Sequence, residues 1–272
     1  MDTLVEYAGP DDVAGPFARL TLNSPHNRNA LSTALVSQLH QGLRDAAADP
    51  AVRAVVLGHT GSTFCAGADL SEAGGDGPRT DPFDMAAVRA REMTTLLRAI
   101  VASPLPVIAA IDGHVRAGGF GLVGACDIAV AGPRSTFALT EARIGVAPAI
   151  ISLTLLPKLS PRAAARYYLT GETFDAAQAA QIGLVTSAAD DVNAAVAKLV
   201  VDIGRGSPQG LAASKALTTA AVLAGFERGA ERLAEESARL FVSEEAREGM
   251  LAFLQKRPPS WVRPASSNDA AQ

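Results

Sequence analysis

The chain is poor in cysteine: Cys65 and Cys126 are the only two in 272 residues. A small disulfide-stapled secreted fold is therefore excluded, the pair has no metal-ligand spacing, and a reducing cytoplasm is the expected setting. Aromatic residues make up 5% of the chain and there is one Trp, so its core has to be built mainly from aliphatic side chains. No apolar run approaches the ~20 residues of a membrane span, and no targeting segment is legible at the start, so no membrane partner is expected. Charge of either sign is also scarce, with a net of -4 and a pI near 5.6, which gives no electrostatic reason to expect nucleic acid or an anionic surface. The four histidines, His26, His40, His59 and His114, are scattered and form no sequence cluster that suggests a metal. What the chain does have is 48% hydrophobic content, ample for one large core.

The most informative segment begins with the apolar run Pro106-Val107-Ile108-Ala109-Ala110-Ile111 and continues as Asp112-Gly113-His114-Val115-Arg116-Ala117-Gly118-Gly119-Phe120-Gly121. A buried strand delivers a glycine-rich turn to a helix start, where backbone N–H groups are unpaired and carry partial positive charge. Gly119 to Gly124 also matches G-x-G-x-x-G, with Glu141 at about the dinucleotide spacing. The match fails in context, because Asp127-Ile128-Ala129-Val130-Ala131 reads as the next strand and leaves room for only about two helical turns. A small-residue helix packed against its neighbours is the simpler reading, and a nicotinamide oxidoreductase is disfavoured.

A similar corner lies upstream. The strand-like Arg53-Ala54-Val55-Val56-Leu57-Gly58 leads to Gly61-Ser62-Thr63-Phe64-Cys65-Ala66-Gly67-Ala68-Asp69-Leu70, where a helix could begin. Two corners that bare amides can converge on one carbonyl oxygen and stabilise the charge that develops on it. Elsewhere, Phe17 to Asn23 reads as a strand, Ser32 as the cap of a helix running to about Asp49, and the chain from Pro161 onward as mainly helical.

Taken together, Ser24-Pro25-His26-Asn27-Arg28-Asn29-Ala30-Leu31, Phe64 to Leu70, Asp112 to Gly121, Ala125-Cys126-Asp127-Ile128-Ala129-Val130-Ala131, Thr136-Phe137-Ala138-Leu139-Thr140-Glu141 and Gly249 to Pro258 resemble, in order, the crotonase or enoyl-CoA hydratase/isomerase superfamily. The resemblance spans about residues 15 to 260 and implies an α/β fold, a spiral of ββα turns followed by a C-terminal helical region. It places a spiral core at 1–200, a helical trimerisation region at 201–260 and a disordered tail at 261–272. The implied assembly is a homotrimer or a dimer of trimers.

The resemblance also implies site residues. The amides of Ala68 and Gly118 would form an oxyanion hole for a coenzyme A thioester, with Glu141 as acid/base. CoA would run along His26, Asn27, Arg28, Ala30, Ala66, Asp69, Leu70 and Gly119, and Phe253 and Lys256 on the closing helix would touch its nucleotide end. No separate cofactor or metal is expected, since CoA belongs to the substrate. Typical hydratases carry another glutamate three residues after the oxyanion-hole glycine; here that position is Gly121. A lone carboxylate suffices for a 1,3-proton shuttle, which favours a 3,2-enoyl-CoA isomerase. The run Thr140 to Ser152 and Arg162 to Thr170 instead resembles the bacterial branch with methylglutaconyl-CoA hydratases, where a small residue at this position accompanies hydration.

The expected activity is thus addition of water to a 2-enoyl-CoA, with isomerase and non-catalytic CoA-binding scaffold as alternatives. Arg116 and Arg143 could grip a distal substrate carboxylate bidentately, while the simpler expectation is a local acidic partner for Arg143 and solvent or a subunit contact for Arg116. His114 is expected to be a hydrogen-bonded loop residue. The breaker-rich stretch from Ser71 to Pro82 is a lid candidate, in which Glu72 or Asp76 could replace the lost carboxylate, although a solvated loop charge is the simpler reading.

Overall fold

A computed structural model of the chain describes residues 2–13, 15–69, 72 and 81–262. Leu70, Asp76, most of the lid candidate and the tail from 263 lie outside them.

Two sheets run through the molecule. The larger contains β1 (Val5–Ala8), β2 (Phe17–Leu22), β3 (Ala54–His59), β5 (Val107–Ile111), β7 (Ile128–Ala131) and β10 (Ser187–Ala188), in the order β1-β2-β3-β5-β7-β10. Only the β1–β2 pairing is antiparallel. The smaller contains β4 (Thr63–Cys65), β6 (His114–Arg116), β8 (Thr136–Ala138) and β9 (Phe174–Asp175) in that order, with β4, β6 and β8 parallel.

The β5 sequence shows why the larger sheet reads as a continuous apolar run. Val107, Ala109 and Ile111 face the main core, whereas Ile108 and Ala110 face a second cluster with Val56, Val130, Val192 and Val196. Side chains alternate along a strand, so a strand covered on both faces loses its polar positions. Helix α7 (Val192–Gly204) supplies the second cover.

Helix starts follow local chemistry. Ser32 accepts the Leu35 N–H at 3.2 Å and caps α1 (Thr33–Ala48). The same device, Ser followed by Pro, opens α5 (Pro161–Thr170) and α8 (Pro208–Phe241). The short α4 (Ser152–Leu155) precedes α5 and α6 (Ala176–Gln181) follows it; α9 (Glu244–Leu254) closes the helical part. The segment after Pro161 is thus not wholly helical, since β9 and β10 each complete a sheet edge there. Among the described residues the first long helix after the Ala68 corner is α2 (Pro82–Ala102).

Helix α8 packs along α2 and is pinned by Lys215, a residue only 5% exposed. It pairs with Asp127 at 2.8 Å and donates to the Ile100 and Leu105 carbonyls at 2.9 Å each. Three groups thus compensate one buried cation.

Candidate active site

Each spiral turn sends one strand to the larger sheet and the next to the smaller: β3 to β4, β5 to β6, β7 to β8. Residues 66–68 follow β4, Ala117 and Gly118 follow β6, and Leu139 to Glu141 follow β8. Adjacent strands lie about 4.8 Å apart. Three segments far apart in sequence therefore leave the smaller sheet side by side, with the Gly118 corner in the middle.

The first two corners touch. Gly67 has φ 95°, and a Cβ there would sit 2.6 Å from Ala117 Cβ and 3.1 Å from Gly118 N. Ala117 adopts φ 44° and ψ -121°, a region that L-residues rarely occupy and that costs about 1–3 kcal/mol. This strain makes the abrupt turn from β6 into α3 (Gly118–Ala125). As the first helical residue, Gly118 has no intrahelical acceptor for its N–H. On the other side, Leu31 donates to the Gly67 carbonyl at 2.7 Å and accepts from Asp69 N–H at 3.3 Å. This parallel bridge, Leu31 to Ala68, turns the Ala68 amide away from Leu31. Among the described residues neither the Ala68 nor the Gly118 N–H has an acceptor.

The glycines of α3 are explained by packing. A Cβ at Gly119 would lie 2.7 Å from the Cys65 carbonyl, one at Gly121 2.7 Å from Ile151 Cγ2, and one at Gly124 2.9 Å from Thr154 Oγ1. The G-x-G-x-x-G match thus marks an eight-residue helix wedged between neighbours. It also settles what replaces the absent glutamate: Ile151 and Leu97 fill the space beside Gly121.

Glu141 opens the 3₁₀ turn Glu141–Ile144 and is 8% exposed. Burial pushes its carboxyl up from 4.5 to about 7, with its own backbone N–H opposing the shift. Its Oε2 is buried with no hydrogen-bond partner among the described residues. The turn is held from behind by α9, where Gly249 presses on Ile144 so closely that a Cβ would lie 2.5 Å from the Ile144 carbonyl.

The proposed CoA loop is well built. Pro25–Asn27 form a 3₁₀ turn, Arg28 and Asn29 have φ of 61° and 53°, and Ala66 N–H donates to the Arg28 carbonyl at 3.1 Å. Asn27 donates to Asp69 at 3.1 Å. His26 and Arg28 are exposed, whereas Ala30 is buried. Holding this loop is Asn29, a fully buried node: it accepts from Ser24 N–H at 2.7 Å and donates to the Thr60 and Thr63 carbonyls at 3.0 and 2.8 Å. Phe253 is 65% exposed on α9, and Lys256, φ 52°, follows its end.

Other expectations are corrected. Arg143 has no acidic partner among the described residues; Nε and Nη2 donate to the Thr170 carbonyl at 3.0 and 2.7 Å. Arg116 is half-buried and turned onto β8, donating to the Thr136 carbonyl at 2.7 Å and hydroxyl at 2.9 Å, and burial lowers its pKa. His114 bonds Thr136 Oγ1 at 2.8 Å from a strand, where a loop was expected. Glu72 accepts from Thr33 N–H and Oγ1 at the start of α1 and pairs with Arg89 at 3.9 Å, so its carboxylate serves a helix end. A groove of about 570 Å³ between α1 and α2, lined by Thr33, Val36, His40, Arg44, Val88 and Arg91, includes neither Glu141 nor the amide corners.

Residues 14–264 match the family described as enoyl-CoA hydratase/isomerase. A 2,3-dehydroadipyl-CoA hydratase of Escherichia coli is 33% identical over 89% of this chain and 93% of that protein. A mevalonyl-coenzyme A hydratase of Aspergillus fumigatus is 33% identical over 89% of this chain and 90% of its own. The crystal structure of an enoyl-CoA hydratase from Mycobacterium avium superposes with a TM-score of 0.90 at 77% identity, covering 96% of this chain and all of the other.

Proposed function

Because the chain belongs to the enoyl-CoA hydratase/isomerase family, we propose that it adds water to the double bond of a 2-enoyl-CoA thioester, with Glu141 as its sole catalytic carboxylate. The observation that carries this reading is the buried Glu141 carboxyl with a pKa near 7, its Oε2 without a partner among the described residues, set beside a corner whose two amides likewise have no acceptor among them. A carboxyl held in that state is costly to keep and is poised to accept and return a proton near neutrality, which weighs against a silent scaffold.

In this reading the thioester carbonyl accepts from the Ala68 and Gly118 N–H groups. Water attacks the β-carbon and gives a proton to Glu141, while the double-bond electrons move onto the carbonyl oxygen as an enolate. Glu141 then returns that proton to the α-carbon. The acid and base steps are consecutive on one proton, so a single carboxylate closes the cycle without a glutamate at position 121. Isomerisation of a 3-enoyl-CoA uses the same parts and is the second reading, favoured by the apolar wall of Leu97 and Ile151 at Gly121. A panel of 2-enoyl- and 3-enoyl-CoA thioesters separates them: the first reading requires the 3-hydroxyacyl-CoA to be the dominant product.

Arg116 and Arg143 each have backbone acceptors already, and we assign neither to a substrate carboxylate. We further infer assembly as a homotrimer or dimer of trimers through the helical part, a reading supported by Leu217, Phe253 and Leu254 at 81%, 65% and 72% exposure. Light scattering should then return a multiple of three of the 27.9 kDa chain; a monomer or dimer mass contradicts it.

A further inference from the structure

We propose that the Tyr168 hydroxyl, held by Ser152, positions the attacking water beside Glu141 and thereby does the orienting work of the missing second glutamate. The inference rests on the hydratase reading above.

The geometry starts at the C-terminal end of α5. Arg143 stands two residues after Glu141, and its guanidinium holds the Thr170 carbonyl through two N–H bonds. The next residue, Gly171, approaches so closely that a Cβ would lie 3.0 Å from the Leu139 carbonyl and 2.8 Å from Arg143 Nε. The last turn of α5, which carries Tyr168, is thus clamped to the segment carrying Glu141. A second tie comes from the opposite side: Ile151 packs where a side chain at position 121 would go, and the next residue is Ser152. Ser152 Oγ lies 3.3 Å from Tyr168 Oη and donates to the Pro148 carbonyl at 2.7 Å.

A serine hydroxyl has one hydrogen. Since the Pro148 carbonyl takes it, Ser152 accepts and Tyr168 donates. Tyr168 Oη therefore keeps its lone pairs for an incoming O–H. A water with one hydrogen on Tyr168 Oη and the other on the Glu141 carboxylate has an oxygen lone pair left to attack carbon. The hydrogen on Glu141 is the one transferred to the α-carbon, and the hydrogen on Tyr168 stays with oxygen as the product hydroxyl. Tyr168 itself neither gains nor loses a proton. Burial, opposed by the Ser152 hydrogen bond and reinforced by the nearby Glu141 charge, pushes its phenol up to about 12, so it remains neutral throughout.

Tyr168 is a positioning residue, and its test must separate water addition from proton transfer. Saturated acyl-CoA has no double bond to hydrate, yet exchange of its α-hydrogen in D2O needs Glu141 and the amide corner. Tyr168→Phe should lower hydration of crotonyl-CoA about tenfold or more while α-exchange of butanoyl-CoA stays within about threefold. Ser152→Ala, which keeps the ring, should move the same ratio in the same direction. Unchanged hydration in Tyr168→Phe overturns the proposal, as does equal loss of both reactions, which would mark a general disturbance of Glu141. Wild-type protein that neither hydrates nor exchanges would overturn the hydratase reading and this one with it.

Discussion

With its pKa near 7, Glu141 ties activity and stability to pH in opposite directions. A base works only when ionised, so kcat/KM for hydration should rise with pH and level off above about 7; a profile flat from pH 5 to 8 would remove Glu141 as the base. Stability runs the other way. The native carboxyl holds its proton to a higher pH than the 4.5 of an unfolded chain, so the folded state binds more protons between those values. Stability therefore falls as pH rises through that window, by on the order of 3 kcal/mol once above it. Glu141→Gln should thus stabilise the fold more at pH 8 than at pH 5 in urea titrations, even as it lowers turnover. Gly118→Pro tests the corner from the other side. The first helical position tolerates proline, so the substitution removes one donor with little penalty from the helix itself, and hydration should drop ~10²–10³-fold. Circular dichroism of the variant shows whether the fold is kept.

At the scale of elements, α3 is where sequence reading was most exposed. Its glycines form a pattern with two meanings, and only the distances to Cys65, Ile151, Leu97 and Thr154 show that packing requires them. From the family pattern alone, Gly121→Glu would be expected to restore hydratase character. With Ile151 Cγ2 2.7 Å from the new Cβ, it should instead destabilise the fold, by about 1–3 kcal/mol from overpacking and more from a carboxylate among Leu97 and Ile151, without raising hydration. A hydration rate above that of the parent would contradict this. The strands β2, β3, β5 and β7 were legible because apolar runs ended in turn residues, and the α1 start because Ser32 precedes the helical pattern. The three-residue strands β4 and β6 were not, since pairing partners elsewhere in the chain define them. The same limit hid Asn29, Tyr168 and the Arg143–Thr170 clamp, whose meaning lies in contacts more than fifteen residues away. Ser-Pro before α5 and α8 was a readable cap signal.

For the whole molecule, the central feature is that the smaller sheet gathers three chain exits while the larger sheet and helices hold them still. Lys215 shows how far that support extends, tying α8 to the end of α2 and to Asp127 just before β7. Lys215→Ala leaves Asp127 without its counter-ion and should cost about 3–5 kcal/mol in chemical denaturation; a loss under about 1 kcal/mol would mean the pair is dispensable. No helix among the described residues is long and apolar enough to cross a membrane, and none of them form an acidic, cysteine or histidine cluster able to hold a metal. The chemistry proposed for the site rests on backbone amides and one carboxyl. Its most direct test follows the loss of enoyl-thioester absorbance when crotonyl-CoA meets wild-type protein and Glu141→Gln at pH 8. The account predicts hydration by the wild type and a loss of ~10²–10⁴-fold in the folded variant. Equal rates from the two proteins would contradict it.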